Sequence, residues 1–393
     1  MREKPLILVF NKYYLPGFKA GGPIRTLANM VEHLSDEFDF RILTLDRDAG
    51  DRQPYAQVEQ GIWNSVGKAE VMYLSPDNIS IHQLVKLILE VSPDAIYLNS
   101  FFDSTFTQRV LWARRFGRLG NIPLILAPRG EFSEGALDLK RGKKQVYLLL
   151  SSLLGLYRNL TWQASSAHER NDIVKSLKFL KQENIKEVIN LAPKNSIGPV
   201  TISSGRSGQA LRVCFLSRIS PKKNLDFALS VLREVSSGIT FTIYGPKELA
   251  SYWERCEALI EDLPDNINVV YAGEVHPSNV NAELSQHDLF FFPTRGENYG
   301  HVIHEALLAG LPVLISDQTP WKDLEEHDVG WSFSLSDMLV FAKKIDEVAN
   351  MEPASLLRMR RKAVSFSVNK AEDAKSVSDN IELFRTAASQ GSA

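Results

Sequence analysis

The sequence predicts an α/β protein of two domains, each built on a parallel β-sheet. Short apolar runs alternate with segments of helical periodicity along most of the 393 residues, a pattern typical of repeated strand–helix–strand units. One such unit is complete at 288–317, where strand, loop, helix and strand follow one another. A chain of this length has room for two domains, each with its own core.

The first domain is predicted over 1–195. It opens with a strand at Leu6–Phe10, a glycine-containing loop and a helix from about Ile24. Its later strands are predicted at Phe40–Leu45, Val71–Leu74, Ala95–Asn99, Leu124–Ala127, Thr161–Ala164 and Lys186–Leu191. The following segment is rich in Pro, Gly, Ser and Asn, so we place the interdomain linker at 196–210.

The second domain is predicted over 211–371. Its strands are predicted at Leu211–Leu216, Ile239–Tyr244, Asn268–Tyr271, Leu289–Phe292 and Val313–Ser316. A helix over Tyr299–Ala309 should end at Gly310, because glycine accepts the left-handed cap conformation. A last helix is predicted over 372–390, with an apolar stripe formed by Val377, Ile381 and Phe384.

The composition is that of an ordinary soluble protein, with 44% apolar and 23% charged residues. Two cysteines cannot form a disulfide framework, which predicts a reducing cytoplasm. The apolar stretch at the start is too short for a signal peptide, and no run reaches membrane-spanning length. Residues 1–195 contain 26 Lys and Arg against 21 Asp and Glu, a net charge of +5, which suits anionic partners or solubility alone. The phosphate-binding glycine motifs of dehydrogenases and P-loop proteins are absent from the sequence.

Two carboxylates mark the unit at 288–317 as a candidate site. Glu297 is in the loop and Glu305 is in the helix, with seven residues between them. The backbone N–H groups of Asn298, Tyr299 and Gly300 precede the helix and form a natural anion site. The arrangement suits a ligand with hydroxyl groups at both ends and phosphate between them, which describes a nucleotide sugar. The alternative is a pair of solvated surface acids.

These residues also carry a resemblance. Glu297-Asn-Tyr-Gly300, Glu305-Ala306 and Gly310-Leu-Pro-Val313 resemble the E-x7-E signature of the family 4 retaining glycosyltransferases of the GT-B fold. The usual form of the first part is Glu-Gly-Phe-Gly, and here Asn and Tyr replace its middle pair. The resemblance implies two Rossmann-like domains facing a cleft, with the C-terminal helix crossing back to the first domain. It implies that the second domain holds the donor and the first the acceptor.

The resemblance also assigns roles in the second domain. It implies that Glu305 binds the ribose hydroxyls and that Glu297 contacts the donor sugar. Arg218 and Lys223, around a strand–helix turn, resemble the cations that bind the diphosphate. The turn at Gly245 corresponds to one that lies near the nucleotide.

Two features of the first domain are expected to face the substrates. Gly21 and Gly22 lie before a helix, where the resemblance places a loop facing the donor phosphate and the acceptor; an ordinary glycine turn is the alternative. Arg129 follows a strand at a position where many relatives carry a histidine. We expect a substrate contact from this fixed positive charge, and a surface arginine is the alternative.

Two patterns raise the question of a metal site. Asp46-Arg-Asp48 matches the D-x-D motif of other glycosyltransferases, but it follows an early strand and is expected to be a solvated loop. His301 and His304 lack the spacing of a zinc motif and are expected to be helix-surface or core histidines. We therefore expect neither a metal nor another cofactor.

A basic cluster precedes an apolar stretch within 137–157. The cluster consists of Lys140, Arg141, Lys143 and Lys144. Two interpretations stay open: an interfacial helix on anionic lipid, and a helix packed on the sheet with a basic end.

The sequence thus predicts a retaining glycosyltransferase of the hexosyl type. Its donor would be a UDP- or GDP-sugar, and its acceptor a hydroxyl of a glycan or polyprenyl-linked molecule. Surface polysaccharide biosynthesis at the inner face of the membrane is the expected setting, with no nucleic acid as partner. A sugar-nucleotide epimerase or phosphorylase of the same fold, and a non-catalytic nucleotide-sugar-binding protein, are the alternatives.

Overall fold

The computed structural model describes residues 3–133, 141–194 and 210–390. The chain divides into two compact units. Unit 1 contains Met1–Lys194 together with Asp373–Ala393, and unit 2 contains Asn195–Glu372. The predicted linker lies outside the described residues, apart from Ala210.

Unit 1 is built on a sheet that has eight strands in the described part of the chain. The strands are β1 Leu6–Phe10, β2 Asp39–Leu45, β3 Trp63–Val66, β4 Ala69–Leu74, β5 Ala95–Asn99, β6 Leu124–Ala127, β7 Thr161–Ala164 and β8 Ile185–Glu187. Their order across the sheet is β3-β4-β2-β1-β5-β6-β7-β8. All pairs are parallel except β3–β4, which is an antiparallel hairpin at the edge.

Helices cover both faces of this sheet, as the buried apolar strands require. They are α1 Gly22–Leu34, α2 Ile81–Val91, α3 Thr107–Arg115, α4 Arg141–Leu153, α5 Ala167–Ser176 and the last helix of the chain, with 3₁₀ turns at Pro76–Asn78 and Gln182–Asn184. One core cluster packs β1 and β5 against α2 and α3, and a second packs the other face against α1 and the last helix.

Unit 2 is built on a fully parallel sheet of six strands within the described residues. Its strands are β9 Leu211–Leu216, β10 Ile239–Tyr244, β11 Ile267–Gly273, β12 Leu289–Phe292, β13 Val313–Ser316 and β14 Gly330–Phe333, in the order β11-β10-β9-β12-β13-β14. Its helices are α6 Leu225–Arg233, α7 Ala250–Glu261, α8 Val280–Ser285, α9 His301–Leu308, α10 Met338–Ala349 and α11 Pro353–Ala371, with a 3₁₀ turn at Pro277–Asn279.

The C-terminal helix α12, Ala374–Gln390, belongs to unit 1, as the sequence predicted. Its buried Phe384 contacts the rings of Phe38, Phe40 and Tyr97. The Nδ2 of Asn380 donates to the carbonyl of Ile189 at 3.0 Å, which fixes the helix near the end of β8. The apolar stripe of this helix is therefore part of the core of unit 1.

Two predicted elements have other bounds in the structure, and two strands of the structure were not predicted. The strand predicted at Lys186–Leu191 ends at Glu187, because the chain then turns into the core beneath α12. Strands β3 and β14 were not predicted. The helix predicted from Tyr299 begins at His301, since Gly300 adopts the left-handed conformation at its start.

Each sheet has a point where the chain order reverses. In unit 2, β9 lies between β10 and β12, so the loops that follow β9 and β12 emerge side by side at the carboxyl edge. In unit 1 the same holds for the loops after β1 and β5. Ligands of open α/β sheets bind at such switch points, which directs attention to these loops.

Candidate functional site

Two loops of unit 2 are bonded to each other at the switch point. The loop after β9 leads to α6, and the loop after β12 leads to α9. The backbone N–H of Arg295 donates to the carbonyl of Lys222 at 2.9 Å, and the Thr294 hydroxyl donates to the same carbonyl at 3.2 Å. The amide of Asn224 donates to the Pro293 carbonyl at 2.9 Å. These bonds fix the two loops as one rigid surface.

On this surface the structure brings together two residues that the sequence singled out separately. The ammonium of Lys223 bonds to Oε1 of Glu297, and each side chain is 14% exposed. The hydroxyl oxygen of Thr294 also lies 3.2 Å from the same carboxylate oxygen, and the Lys223 Nζ lies 5.6 Å from the centre of the Phe292 ring. A cation and a carboxylate are thus held side by side at the sheet edge, where each can meet a ligand.

Arg218 bonds to a different acid. Its Nη1 lies 2.9 Å from Oε1 of Glu248, and both side chains are exposed. Exposed ion pairs contribute only about 0–1 kcal/mol, so a phosphate could replace Glu248 at little cost. The structure places Arg218 and Lys223 on the same loop, but each bonds to its own carboxylate.

The backbone at Gly245 passes so close to the backbone at Ser217 that only glycine fits there. A Cβ at this position would lie 1.9 Å from the carbonyl oxygen of Ser217, and its φ of 127° is unfavourable for other residues. The approach lets the N–H of Ile219 donate to the Pro246 carbonyl at 2.8 Å. Gly245 therefore shapes the turn that carries Arg218.

The start of α9 is fixed by packing. Gly300 has a φ of 79°, and a Cβ there would lie 2.8 Å from Cδ1 of Ile303. Trp321 Nε1 donates to the Tyr299 carbonyl at 2.5 Å, and the Tyr299 ring is buried against His301 and Trp321. Tyr299 is thus a core residue, whereas Asn298 is half-buried at the turn.

Along α9, Val302 and Glu305 occupy the less buried face, and the other positions of the helix are buried. Glu305 is therefore a half-buried residue on the less buried face of the helix. His301 and His304 are core residues, as one of the two interpretations predicted. Burial, with a smaller contribution from Lys370, lowers the pKa of His304 to about 4.

In unit 1, Arg129 is held by internal hydrogen bonds. Its Nε donates to Oδ1 of Asn99 at 3.1 Å, and its other nitrogens bond to Asn190 and to the Tyr97 hydroxyl. The residue is half-buried with a φ of 57°. It is therefore not the simple surface arginine of the alternative interpretation: its guanidinium ties the ends of β5 and β6 to the segment after β8.

Asp48, the second aspartate of the D-x-D pattern, anchors the loop that contains Gly21. Oδ2 of Asp48 accepts from the backbone N–H groups of Phe18 and Lys19 at 2.7 and 3.0 Å. Asp46 and Asp48 are both buried, so the expectation of a solvated loop was wrong. Gly21 caps α1 with a φ of 68°, and Gly22 is the first residue of that helix.

Two buried acids of unit 1 were missed by the sequence analysis. Glu131 accepts from the Ser100 hydroxyl and from the backbone N–H groups of Phe101 and Phe102, and burial raises its pKa. Glu169 accepts from the backbone N–H groups of Gly130 and Ser165. The signal for Glu131 was its position directly after the strand end that carries Arg129. Nothing in the local sequence distinguishes Glu169 from an exposed helical acid.

No group of three or more His, Cys, Asp or Glu that could hold a metal ion occurs among the described residues. Within the same residues, no helix has the length and apolar character needed to cross a membrane. Both cysteines, Cys214 and Cys256, are free and buried.

Comparison with solved structures decides the fold. HepE from Anabaena, solved in complex with UDP-glucose, is 16% identical, with a TM-score of 0.68 over 98% of this chain and 100% of that chain. Sucrose-phosphate synthase from Thermosynechococcus elongatus is 13% identical, with a TM-score of 0.71 over 98% and 99% of the two chains. WaaG, a glycosyltransferase involved in lipopolysaccharide biosynthesis, is 11% identical, with a TM-score of 0.65 over 96% and 98%. The chain has the GT-B fold.

Sequence comparisons agree with the GT-B fold. The family model described as glycosyl transferases group 1 matches residues 202–384, which include every residue of the unit 2 site named above. A 41.2 kDa protein of the cps region of Klebsiella pneumoniae is 23% identical over 300 residues, which are 75% of this chain and 79% of that protein.

Proposed function

We propose that this GT-B protein is a glycosyltransferase that moves a sugar from a nucleoside-diphosphate donor to a hydroxyl of a glycan or lipid-linked acceptor. The observation that carries the proposal is the Lys223–Glu297 pair, which two bonded loops hold at the switch point of unit 2. The match of residues 202–384 to the glycosyl transferases group 1 supports it, as does the solved complex of the similar HepE with UDP-glucose.

The donor is held by unit 2 in this proposal. Glu305, on the less buried face of α9, accepts hydrogen bonds from the ribose hydroxyls. Arg218 and Lys223 bind the diphosphate, and the positive end of α9 at Gly300 adds to their field. Glu297, beside Lys223, contacts the donor sugar.

Bond cleavage places growing negative charge on the leaving diphosphate. Lys223 stabilises this charge by moving its ammonium from Glu297 toward the phosphate, and Arg218 does the same by leaving Glu248. Positive charges at this position take the role that a metal ion has in other transferases. We therefore propose that transfer is independent of metal.

Retention of configuration is the finer part of the proposal. The leaving phosphate oxygen takes the proton of the acceptor hydroxyl on the face of the sugar from which it departs. Glu297 as a covalent nucleophile is the less favoured route. Proton NMR of the product distinguishes retention from inversion, because the coupling of the anomeric proton reports the configuration of the new bond.

The acceptor belongs to surface polysaccharide synthesis in this proposal. The relative from the cps region and the likeness to WaaG, whose printed description names lipopolysaccharide biosynthesis, support that setting. A UDP-sugar is the first donor to test, since HepE was solved with UDP-glucose.

The test is a turnover assay on the full chain with UDP- and GDP-sugars, run with and without a panel of oligosaccharides and polyprenyl-linked sugars. Release of nucleoside diphosphate that depends on acceptor supports transfer. Conversion of the donor into another sugar nucleotide without acceptor would identify an epimerase, and dependence on inorganic phosphate would identify a phosphorylase. Binding of a donor without turnover for any acceptor would identify a binding protein.

A further inference from the structure

Helix α4 of unit 1 exposes an apolar face. Its residues Val146, Leu149, Leu150 and Leu153 recur at helical spacing and are 52–74% exposed. Leu154, directly after the helix, is exposed as well. A helix on a protein surface normally exposes polar residues to water. A contiguous apolar stripe such as this one indicates an interaction surface.

The opposite face of α4 is already packed. Tyr147 and Leu148 contact the first core cluster, and the Tyr147 and Tyr157 hydroxyls are 2.5 Å apart. The Lys144 ammonium lies 4.9 Å from the centre of the Phe102 ring on the same side. The helix therefore has two apolar faces. The interpretation as a core helix accounts for only one of them.

An exposed aromatic residue beside α3 extends the stripe. Phe116, at the end of α3, is 68% exposed and stacks on Trp112. The ends of α3 and α4 are fastened together, because Arg115 Nε donates to the Leu154 carbonyl at 2.9 Å and Arg114 donates to the Arg158 carbonyl at 3.0 Å. We call Phe116, Val146, Leu149, Leu150, Leu153 and Leu154 the leucine patch.

The surroundings of the leucine patch are basic. Residues 141–158 contain Arg141, Lys143, Lys144 and Arg158 and no acidic residue. Arg115 and Arg118 are exposed beside Phe116, and no carboxylate of the described residues pairs with either. The carbonyl groups that accept from Arg114 and Arg115 do not neutralise their charge.

We propose that the leucine patch binds the surface of an anionic lipid bilayer. The leucines and Phe116 enter the boundary between headgroups and acyl chains, and the exposed Arg118 and Arg158 reach the lipid phosphates. The 13 residues of α4 extend about 20 Å, which suits a helix that lies in the interface and is shorter than a bilayer core. A second copy of the chain is a poorer partner, because a symmetric contact would place like charges against each other.

The experiment is vesicle flotation of the full chain, with phosphatidylcholine vesicles that contain or lack phosphatidylglycerol. The wild type floats with the anionic vesicles and is released at high salt. The variant Leu149→Asn/Leu153→Asn binds more weakly by at least about tenfold, because two side chains lose their transfer into lipid. Both residues are exposed, so its unfolding temperature should match that of the wild type.

The control is Leu339→Asn in unit 2, whose residue is 62% exposed and outside the patch; it should float like the wild type. Replacing Arg118 and Arg158 with Gln should weaken binding to anionic vesicles alone. Equal flotation of the wild type and the leucine variant would overturn the proposal. So would a dimer of the wild type in sedimentation velocity that the leucine variant abolishes. The assay measures lipid binding, so its outcome does not depend on the proposed transfer reaction.

Discussion

At the scale of single residues, the site depends on a contact between two loops that are far apart in sequence. Lys223 and Glu297 are 74 positions apart, yet their charged groups bond directly and both side chains are mostly buried. Arg218 is different, because its partner Glu248 is exposed to solvent. The two cations should therefore respond differently to mutation.

Lys223→Ala and Arg218→Ala should each lower kcat by roughly 10²–10³, the scale of losing one preorganised charge. Lys223→Ala should also lower the free energy of unfolding by about 1–3 kcal/mol, because the Glu297 carboxylate stays mostly buried without its cation. Arg218→Ala should leave stability unchanged. Steady-state kinetics and chemical denaturation check both values.

Arg218→Lys should retain part of the activity, since an ammonium cannot reproduce the two-pronged contact of a guanidinium. The control is Arg233→Ala, which removes an exposed ion pair with Asp262 elsewhere in unit 2. Full activity of Arg218→Ala would contradict the proposal that this residue binds the diphosphate.

Two buried histidines should make the stability of unit 2 depend on pH. Burial lowers the pKa of His304 and of His287 to about 4 in the folded state. The unfolded chain binds protons at these residues below a pKa of about 6.5 and the folded chain does not, so stability is complete above that pH. It should fall as the pH drops from about 6.5 to 4.

Denaturant titrations at several pH values measure this slope. His304→Asn should flatten it, whereas the exposed His327→Asn should leave it unchanged. An unchanged slope in His304→Asn would contradict the assignment of the effect to burial of that ring.

At the scale of secondary structure, most strands of the sheets were predictable because buried parallel strands are continuous apolar runs. Ala95–Asn99, Leu124–Ala127 and Leu289–Phe292 match the structure at both ends. The strands β3 and β14 were missed, because their polar and half-buried residues lack that signal. Loop contacts were not predictable at all, since the partners of Arg129 and Asp48 come from distant segments.

Gly245 gives a prediction for the turn after β10. Gly245→Ala should lower the free energy of unfolding by more than about 1–3 kcal/mol, because its Cβ would lie 1.9 Å from the Ser217 carbonyl oxygen in a strained conformation. Gly142→Ala is the matched control, because the space around that helical glycine is open and alanine favours the helix. Thermal unfolding of both variants provides the measurement, and equal stability of the two would contradict the close approach.

At the scale of the whole molecule, the chain passes through unit 2 and returns to unit 1 with α12. Phe384→Ala should lower the stability of unit 1 by about 3–5 kcal/mol, because the ring is fully buried among three aromatic side chains. Hydrogen exchange should show the lost protection in unit 1 peptides, and the exposed Glu382→Ala should show none.

The GT-B fold was predicted from the alternation of elements and the motif around Glu297, and it is confirmed. The sugar, the acceptor and the stereochemistry stay predictions, because they depend on side chains that a shared fold does not fix. The account as a whole depends on one claim: unit 2 holds a nucleoside diphosphate without metal.

Calorimetric titration of UDP and GDP into the full chain in excess EDTA tests this claim most directly. The account predicts that the wild type binds at least one of them and that Glu305→Ala weakens this affinity by about 5- to 150-fold, the equivalent of about 1–3 kcal/mol for unpaired ribose hydroxyls. Glu326→Ala, which removes an exposed acid of the same unit, should bind like the wild type. Binding that appears only when magnesium is restored, or equal affinity in Glu305→Ala and the wild type, would contradict the account.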